Sequence, residues 1–189
     1  MRVGVFGGSF DPPHVGHLLV VSDAVDALAL DRVVWVPTAV QPLKQRPGAA
    51  TPELRLAMVE AAVTGQPGFV TSSIEIDRGG LSYTVDTLEA FAAEYADAER
   101  FLLIGMDSLA TFRRWRAPDR IAELARVAVL WRSTDGAEPL IPEGMRLVTT
   151  RCVDVSSTEV RDRVRAGKPI RGFVPAPVAA IIERSGLYR

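Results

Sequence analysis

The chain has 189 residues and a formal net charge of −1, so its overall charge provides no field that would attract nucleic acid or a membrane surface. Its length is typical of one domain, its single cysteine excludes an internal disulfide, and no apolar run approaches the roughly 18 residues of a membrane span. With no signal peptide evident, we expect a single cytoplasmic domain over residues 1–189, with Cys152 as a small core residue. Homo-oligomerisation is left open.

The first half of the chain alternates strand and helix patterns. Apolar residues at 3–6 predict a first strand, and apolar residues spaced three and four apart over 18–28 predict a first helix. A second buried strand is predicted at 32–37. Prolines and glycines then predict a loop at 38–50, and the Thr51-Pro52 pair predicts the start of a second helix.

The alternation continues to the end of the chain. Alternating apolar and polar residues at 70–77 predict a half-exposed strand near a sheet edge. The remaining predicted strands lie at 101–105, 127–131 and 147–155, and the remaining helices at 84–95, around 109–112, and from residues 118, 156 and 175. This order predicts a doubly wound parallel α/β sheet, in which ligands bind at the carboxyl ends of the strands.

The turn between the first strand and the first helix carries the densest group of chemically useful residues. Residues 7–17 read G-G-S-F-D-P-P-H-V-G-H. The two glycines allow close approach of a ligand to the backbone, and the N-terminus of the helix suits a phosphate. His14 and His17 share one helix face, with Gly16 between them removing a side chain that would crowd their ligand. A zinc site is disfavoured, because neither an H-E-x-x-H pattern nor a cysteine pair is present.

Three further polar segments follow predicted strands. Residues 156–159 and Arg161 place hydroxyls and a guanidinium at a helix start, which predicts an anion site, although an ordinary capping box also explains Ser156 and Glu159. Gly105 and Asp107 suit a ribose or adenine, although the aspartate also suits a helix cap. The segment at 82–88 is explained by helix initiation at Ser82 or Thr84 alone, unless it contacts a ligand.

Residues 7–17 resemble the H-x-G-H signature of the nucleotidylyltransferase superfamily, in the form typical of its bacterial nicotinate mononucleotide adenylyltransferases. V-S-S-T-E-V-R at 155–161, I-G-M-D at 104–107 and S-Y-T-V-D-T-L at 82–88 are similar to further elements of that family. The resemblance implies a Rossmann-like fold and adenylyl transfer from ATP, accompanied by Mg²⁺, to nicotinate mononucleotide. Two alternatives stay open: another acceptor such as a phosphopantetheine, and a nucleotide-binding regulator without turnover.

The resemblance also implies roles for single residues. The implied catalytic residues are His14, His17 and Arg161. The implied ATP contacts are Gly7, Gly8, Ser9, Phe10, His17, Gly105, Asp107, Ser157, Thr158 and Arg161. The implied mononucleotide contacts are Asp11, Lys44, Arg46, Tyr83, Thr84, Trp115 and Arg132. No residue is expected to hold a metal ion by itself.

One of these assignments has a competing interpretation, and two depart from the family pattern. Trp115 suits stacking on the pyridine ring, but also suits a half-buried place against the sheet. Lys44 departs from the family pattern because Leu43 stands where a histidine usually precedes it. Arg132 departs because Ser133-Thr134 replace the usual Pro-Gly. Within the implied reaction, we expect His17 at the α-phosphate and His14 at the bridging or β and γ oxygens.

Overall fold

The computed structural model describes residues 1–40, 49–132 and 138–189. A six-stranded sheet has the order β3-β2-β1-β4-β5-β6, and every neighbouring pair is parallel. The strands are β1 (Arg2–Gly8), β2 (Arg32–Pro37), β3 (Phe69–Thr71), β4 (Glu99–Gly105), β5 (Arg126–Arg132) and β6 (Arg146–Thr150). The helices are α1 (Val15–Leu28), α2 (Pro52–Val63), α3 (Ile74–Arg78), α4 (Thr84–Glu94), α5 (Met106–Leu109), α6 (Pro118–Leu124), α7 (Ser157–Arg165) and α8 (Ala176–Ser185). The predicted doubly wound parallel sheet is confirmed.

The sheet is covered by helices on both faces, which explains why its central strands read as continuous apolar runs. Successive strand residues enter opposite cores: Val34 packs in the cluster formed with α4 and α6, whereas Val33 and Trp35 pack in the cluster formed with α1 and α2. A third cluster joins α2, α7 and α8. No helix in the described ranges has the length and apolar character of a membrane span.

The order of the strands creates the crevice that parallel sheets use for ligands. The chain moves outward from β1 to β2 and β3, then returns to the other side of β1 and continues through β4, β5 and β6. The loops that leave β1 and β4 therefore diverge at the carboxyl edge of the sheet. The predicted motifs at 7–17 and 104–107 follow these two strands, so they lie at this crevice.

One edge of the sheet differs from its prediction. Residues 70–77 were expected to form one strand, but β3 ends at Thr71 and α3 begins at Ile74. Ser73 Oγ donates to Asp77 Oδ2 at 2.6 Å, and this bond closes the turn of the helix. Glu75, expected on the exposed face, is 5% exposed. Local side-chain hydrogen bonds therefore override the alternating pattern.

The other edge of the sheet also ends earlier than expected. β6 stops at Thr150 rather than at residue 155. Thr150 pairs with Arg132, the last residue of β5, which is the neighbour of β6 among the described strands. The next residue leaves the sheet because the backbone N–H and guanidinium of Arg151 both bind the Asp23 carboxylate of α1. Cys152 follows on this departing segment and is exposed, so its expected place in the core was wrong.

Candidate functional site

The turn after β1 is shaped by a bulky aromatic side chain. Phe10 has a φ of 47° and is 3% exposed, and its ring packs 5.5 Å from the Trp35 ring and 5.3 Å from the His17 ring. A Cβ atom at Gly8 would lie 3.0 Å from the Phe10 ring, so any side chain here would force this buried ring to shift. Gly7 and Ser9 are exposed at the strand end, where a ligand can approach the backbone.

The two histidines form a stacked pair at the start of α1. Their ring centroids lie 3.7 Å apart, with an interplanar angle of 27°. The His14 backbone N–H donates to His17 Nδ1 at 3.2 Å, so the proton of the neutral His17 ring sits on Nε2. A Cβ atom at Gly16 would lie 3.0 Å from the His14 ring. The glycine between the histidines therefore makes room for His14 itself.

The surroundings of this pair keep both rings neutral. Burial and, to a lesser extent, the positive charge of Arg132 together lower the pKa of His14 from 6.5 to about 4. Burial is also the largest cause that lowers the pKa of His17, followed by repulsion from His14 and from Arg132. An anion arriving here would meet neutral N–H donors beside the guanidinium of Arg132, which is exposed and donates to the Val153 carbonyl at 3.5 Å.

The hydroxyl-rich start of α7 is bonded directly to the turn after β1. Ser157 Oγ donates to the Pro12 carbonyl at 2.8 Å. Arg161 Nη1 donates to the Asp11 carbonyl at 2.6 Å, and its Nη2 donates to Thr158 Oγ1 at 2.8 Å. Segments 145 to 150 residues apart in the chain are thereby joined into one unit. Arg161 is 6% exposed, so its charge is held inside the protein next to this turn.

The α7 helix start also satisfies the alternative interpretation of its sequence. Ser156 is the N-cap residue, and its Oγ accepts a hydrogen bond from the Glu159 backbone N–H at 3.1 Å. Capping uses Ser156, whereas the bonds to the β1 turn use Ser157 and Arg161. The cap therefore leaves Ser157 and Arg161 available for other contacts, and the anion site at this helix start stays a prediction.

Asp11 lies deep in the protein. It is 7% exposed, and its Oδ1 accepts hydrogen bonds from the Tyr188 hydroxyl at 2.6 Å and the Ala50 backbone N–H at 3.1 Å. These bonds tie the β1 turn to the C-terminal segment and to the start of α2. The proposed contact between Asp11 and the mononucleotide stays a prediction.

The predicted adenosine contacts lie where β4 ends. Gly105 is the N-cap residue of α5 and has open space where a Cβ atom would stand. Asp107 follows in the first turn of this short helix and is exposed. Both residues therefore face the carboxyl edge of the sheet, as their position in the sequence predicts.

The predicted mononucleotide contacts are more exposed than the histidine pair. Tyr83 is the N-cap residue of α4 in place of Ser82 or Thr84, and its ring lies 4.9 Å from the guanidinium carbon of Arg116. Trp115 is partly buried against Phe112, with ring centroids 5.4 Å apart, so both interpretations of this residue remain open. Lys44 and Arg46 lie outside the described residues.

One buried residue of this region belongs to none of the motifs in the sequence. Arg55 of α2 is 5% exposed, and its guanidinium donates to three backbone carbonyls, those of Ser9, Ala39 and Ala50. A signal was available, because Arg55 stands at helical spacing from the buried residues Met58, Val59 and Ala62. A charge on the buried face of a helix indicates a fixed partner within the protein.

The described residues contain no group of three or more His, Cys, Asp or Glu side chains that could hold a metal ion. The donors that do meet at the site are imidazole N–H, hydroxyl and guanidinium groups. These groups suit phosphate oxygens.

Comparison with known proteins supports these observations. Residues 5–163 match the family model described as cytidylyltransferase-like. A Gemmatimonas aurantiaca protein named "Probable nicotinate-nucleotide adenylyltransferase" is 48% identical over 199 residues, covering 100% of this chain and 93% of the relative. A Salinibacter ruber protein of the same name is 42% identical, covering 100% and 98%.

A solved structure supports the fold independently. The Plasmodium falciparum nicotinic acid mononucleotide adenylyltransferase complexed with NaAD matches this chain with a TM-score of 0.80, covering 99% of this chain and 97% of that one. The sequence identity is 15%. At that identity the likeness concerns the fold alone.

Proposed function

The chain belongs to the cytidylyltransferase-like family and, within it, to the nicotinate-nucleotide adenylyltransferases, and we propose on that premise that it transfers the adenylyl group of ATP to nicotinate mononucleotide. The products are nicotinate adenine dinucleotide and pyrophosphate. The observation that best supports this proposal is the joining of the histidine pair to the Ser157–Arg161 segment, because it brings two groups of phosphate ligands to one edge of the sheet.

The proposed reaction is one in-line displacement. A 5′-phosphate oxygen of the mononucleotide forms a bond to the α-phosphorus of ATP, and the bond from that phosphorus to the bridging oxygen of pyrophosphate breaks. The nucleophile is already an anion, so no general base and no covalent intermediate are required. The contribution of the protein is then alignment and stabilisation of the charge on the transferring group.

We assign the neutral histidines to this charge stabilisation. With Nδ1 of His17 accepting from the backbone, its Nε2–H is available as a directed donor to an α-phosphate oxygen. His14 is assigned to the bridging or β and γ oxygens. A neutral donor in a fixed position needs no reorganisation when charge develops in the transition state.

The leaving pyrophosphate is assigned to the start of α7. Ser157 and Thr158 supply hydroxyls and helix N–H groups, and the buried guanidinium of Arg161 supplies positive charge while holding Thr158 Oγ1. Arg132, whose charge acts on both histidines, is assigned to a phosphate oxygen near them. This assignment differs from the mononucleotide contact that the resemblance implies for Arg132.

The acceptor is assigned to the region around Tyr83, Thr84 and Trp115. A pyridinium ring is attracted by the face of an aromatic ring, and the N-terminus of α4 suits the nicotinate carboxylate. Lys44 and Arg46 keep their predicted contact with the mononucleotide phosphate, and Asp11 keeps its predicted place beside it.

We propose that Mg²⁺ accompanies ATP, bound mainly through phosphate oxygens and water as is usual for this ion. This mode of binding fits a site whose described residues offer hydrogen-bond donors to phosphate oxygens and contain no cluster of carboxylates that could hold the ion. When bound, the ion neutralises charge on the polyphosphate.

The proposal is tested by pyrophosphate release with ATP and a panel of acceptors. We expect turnover with nicotinate mononucleotide, less with nicotinamide mononucleotide and none with 4′-phosphopantetheine. Preference for phosphopantetheine would replace the acceptor. ATP binding without release of pyrophosphate with any acceptor would favour a nucleotide-binding regulator.

A further inference from the structure

Arg55 is buried where two loops of the site leave the sheet. The β1–β2 pairing ends where the Thr38 N–H donates to the Gly8 carbonyl at 3.0 Å. Arg55 bridges the segments that follow β1 and β2 at the next residue of each segment. Its Nη1 donates to the Ser9 carbonyl and its Nη2 to the Ala39 carbonyl, both at 2.9 Å. One guanidinium therefore holds these two segments together at the point where they diverge.

The two segments lead to different substrates of the proposed reaction. Ser9 begins the turn that carries His14 and His17, so the segment after β1 leads to the phosphates of ATP. Ala39 lies on the segment after β2, and its N–H donates to Ser82 Oγ at 2.9 Å. Ser82 immediately precedes Tyr83 and Thr84, the predicted mononucleotide contacts.

Ser82 is also hydrogen-bonded to the segment after β2 through its backbone. Its own N–H donates to the Val40 carbonyl at 2.9 Å, and Val40 pairs with Leu81 in a short bridge. The two bonds at Ser82 make the segment after β2 and the start of α4 one unit. A displacement of Ala39 would therefore move the residues that face the mononucleotide.

The geometry of Arg55 requires a guanidinium. Its Nε also donates, to the Ala50 carbonyl at 3.2 Å, so three nitrogens of one rigid plane bind three backbone carbonyls. A lysine ammonium is a single compact donor on a flexible stem and cannot span the same acceptors. Burial lowers the pKa of Arg55, and the negative charges of Asp11 and Glu75, both buried, act in the opposite direction.

We propose that Arg55 is a positioning residue that sets the spacing between the two substrates, and this inference rests on the proposed adenylyl transfer. Each substrate binds at its own end of the crevice, so binding of either one alone depends little on the distance between the ends. The in-line attack depends on that distance strongly, since a misplacement of about 1 Å can cost about 100-fold in rate. Loss of Arg55 is therefore expected to lower kcat and to spare the separate dissociation constants.

The test uses Arg55→Lys and Arg55→Met in the full chain. For each variant we would measure the dissociation constant of ATP alone, that of nicotinate mononucleotide alone, kcat with both at saturation, and the thermal midpoint. The expected result is a fall of about 100-fold in kcat, with no rescue by lysine and with both dissociation constants within about threefold of wild type.

Arg100 supplies a matched control. Its guanidinium also donates to backbone carbonyls, those of Leu124 at 3.0 Å, Tyr95 at 2.8 Å and Ala98 at 3.2 Å. It lies near the beginning of β4, at the opposite end of the strands from the site. Arg100→Met is expected to lower the thermal midpoint and to leave kcat unchanged, because it removes the same kind of bond without moving a substrate loop.

The inference is overturned if Arg55→Lys keeps kcat within about threefold of wild type, if Arg100→Met loses as much kcat, or if kcat and the dissociation constants change together. If neither Arg55 variant folds, Ser82→Ala decides, because it removes the acceptor for the Ala39 N–H. A fall of about tenfold in its kcat supports the inference, and full activity overturns it. A wild-type protein that forms no dinucleotide would instead remove the proposed function.

Discussion

The two ends of the candidate site are held by different kinds of contact. At the end of the site assigned to the phosphates, His14 and Arg161 are each 6% exposed. The His14 ring stacks on the His17 ring with centroids 3.7 Å apart, and Arg161 donates to the Asp11 carbonyl at 2.6 Å. At the mononucleotide end, Tyr83 and Trp115 are only partly buried, and the Arg116 guanidinium beside Tyr83 is paired with Asp86 at 3.5 Å on the surface. The phosphate end is thus preorganised, whereas the acceptor end has room to adjust.

This difference matches the chemistry that we propose for each end. Donors that stabilise a transition state are effective when they are already in place, because they need no reorganisation during the reaction. Recognition of an acceptor tolerates contacts that form on binding. Variants at the phosphate end should therefore change turnover, and variants at the acceptor end should change binding and selectivity.

The largest effect is expected from His17→Ala. Loss of one directed donor to a developing oxyanion costs roughly 10²–10³-fold in kcat, or about 3–4 kcal/mol. The ground-state affinity for ATP should change far less, because the contact strengthens only in the transition state. Steady-state kinetics combined with ATP binding by calorimetry measures both.

A matched variant separates the donor from the volume of the ring. His17→Gln restores an N–H donor near the position of Nε2 and should recover part of the lost turnover, whereas alanine should not. Near-normal turnover of His17→Ala would remove His17 from the mechanism.

A second test concerns the neutral state of the His14 ring at the phosphate end. The pKa of His14 is lowered from 6.5 to about 4, so between these values the unfolded chain binds a proton that the folded protein does not. The stabilisation is complete above about pH 6.5 and is lost as the pH falls towards 4. At about 1.36 kcal/mol per pH unit, His14 contributes up to about 3 kcal/mol to this loss.

Urea denaturation at pH 7 and pH 4.5 measures that dependence, and His14→Gln isolates it from the carboxylates. The wild type should lose more unfolding free energy than the variant across this interval. Equal losses would mean that His14 is accessible and ordinary in the folded state, which would contradict the comparison between the two ends.

The third effect is smaller and concerns Arg161→Lys. Lysine keeps the charge but cannot bind the Asp11 carbonyl and Thr158 Oγ1 together in one plane. A hydrogen bond to a charged group contributes roughly 1.5–3 kcal/mol, so we expect kcat/KM for ATP to fall by about 10-fold to 100-fold. Activity equal to wild type would show that this position needs only a point charge.

The residues assigned to the phosphates can be singled out in the sequence because each of their motifs is contiguous. Residues 7–17 and 155–161 each carry their glycines, histidines or hydroxyls within a few positions, so their chemistry is visible without a fold. The sheet that brings them together is also predictable, since its buried strands are short apolar runs between helical patterns.

The connections between segments are not visible in the sequence. Tyr188 binds Asp11 from 177 residues away, and the three carbonyls that bind Arg55 belong to positions 5, 16 and 46 residues from it. Backbone carbonyls carry no signature of residue type, so a partner of this kind cannot be recognised from sequence. The burial of Glu75 in α3 could likewise not be read from the sequence, because it depends on a hydrogen bond from Thr87 Oγ1 of α4.

The smallest effect tests the adjustable end, through the choice of nicotinate over nicotinamide mononucleotide. The first N–H groups of a helix lack partners within the helix, and those of α4 begin at Thr84, next to Tyr83. A carboxylate gains from these donors and from the helix dipole, up to about 2 kcal/mol when partly buried. A neutral amide gains less and must also place its own NH₂ group.

We therefore expect kcat/KM to favour the acid by about tenfold or more, since half of the combined dipole and hydrogen-bond terms already amounts to about 2 kcal/mol. Trp115 would stack on the cationic ring of either substrate, so Trp115→Ala should weaken both and leave their ratio largely unchanged. Equal use of the two mononucleotides by the wild type would contradict the role of the α4 N-terminus. If the ratio of the two kcat/KM values instead falls to about one in Trp115→Ala, selectivity lies at the stacked ring. The acceptor end would then depend on a fixed aromatic contact, as the phosphate end depends on fixed donors.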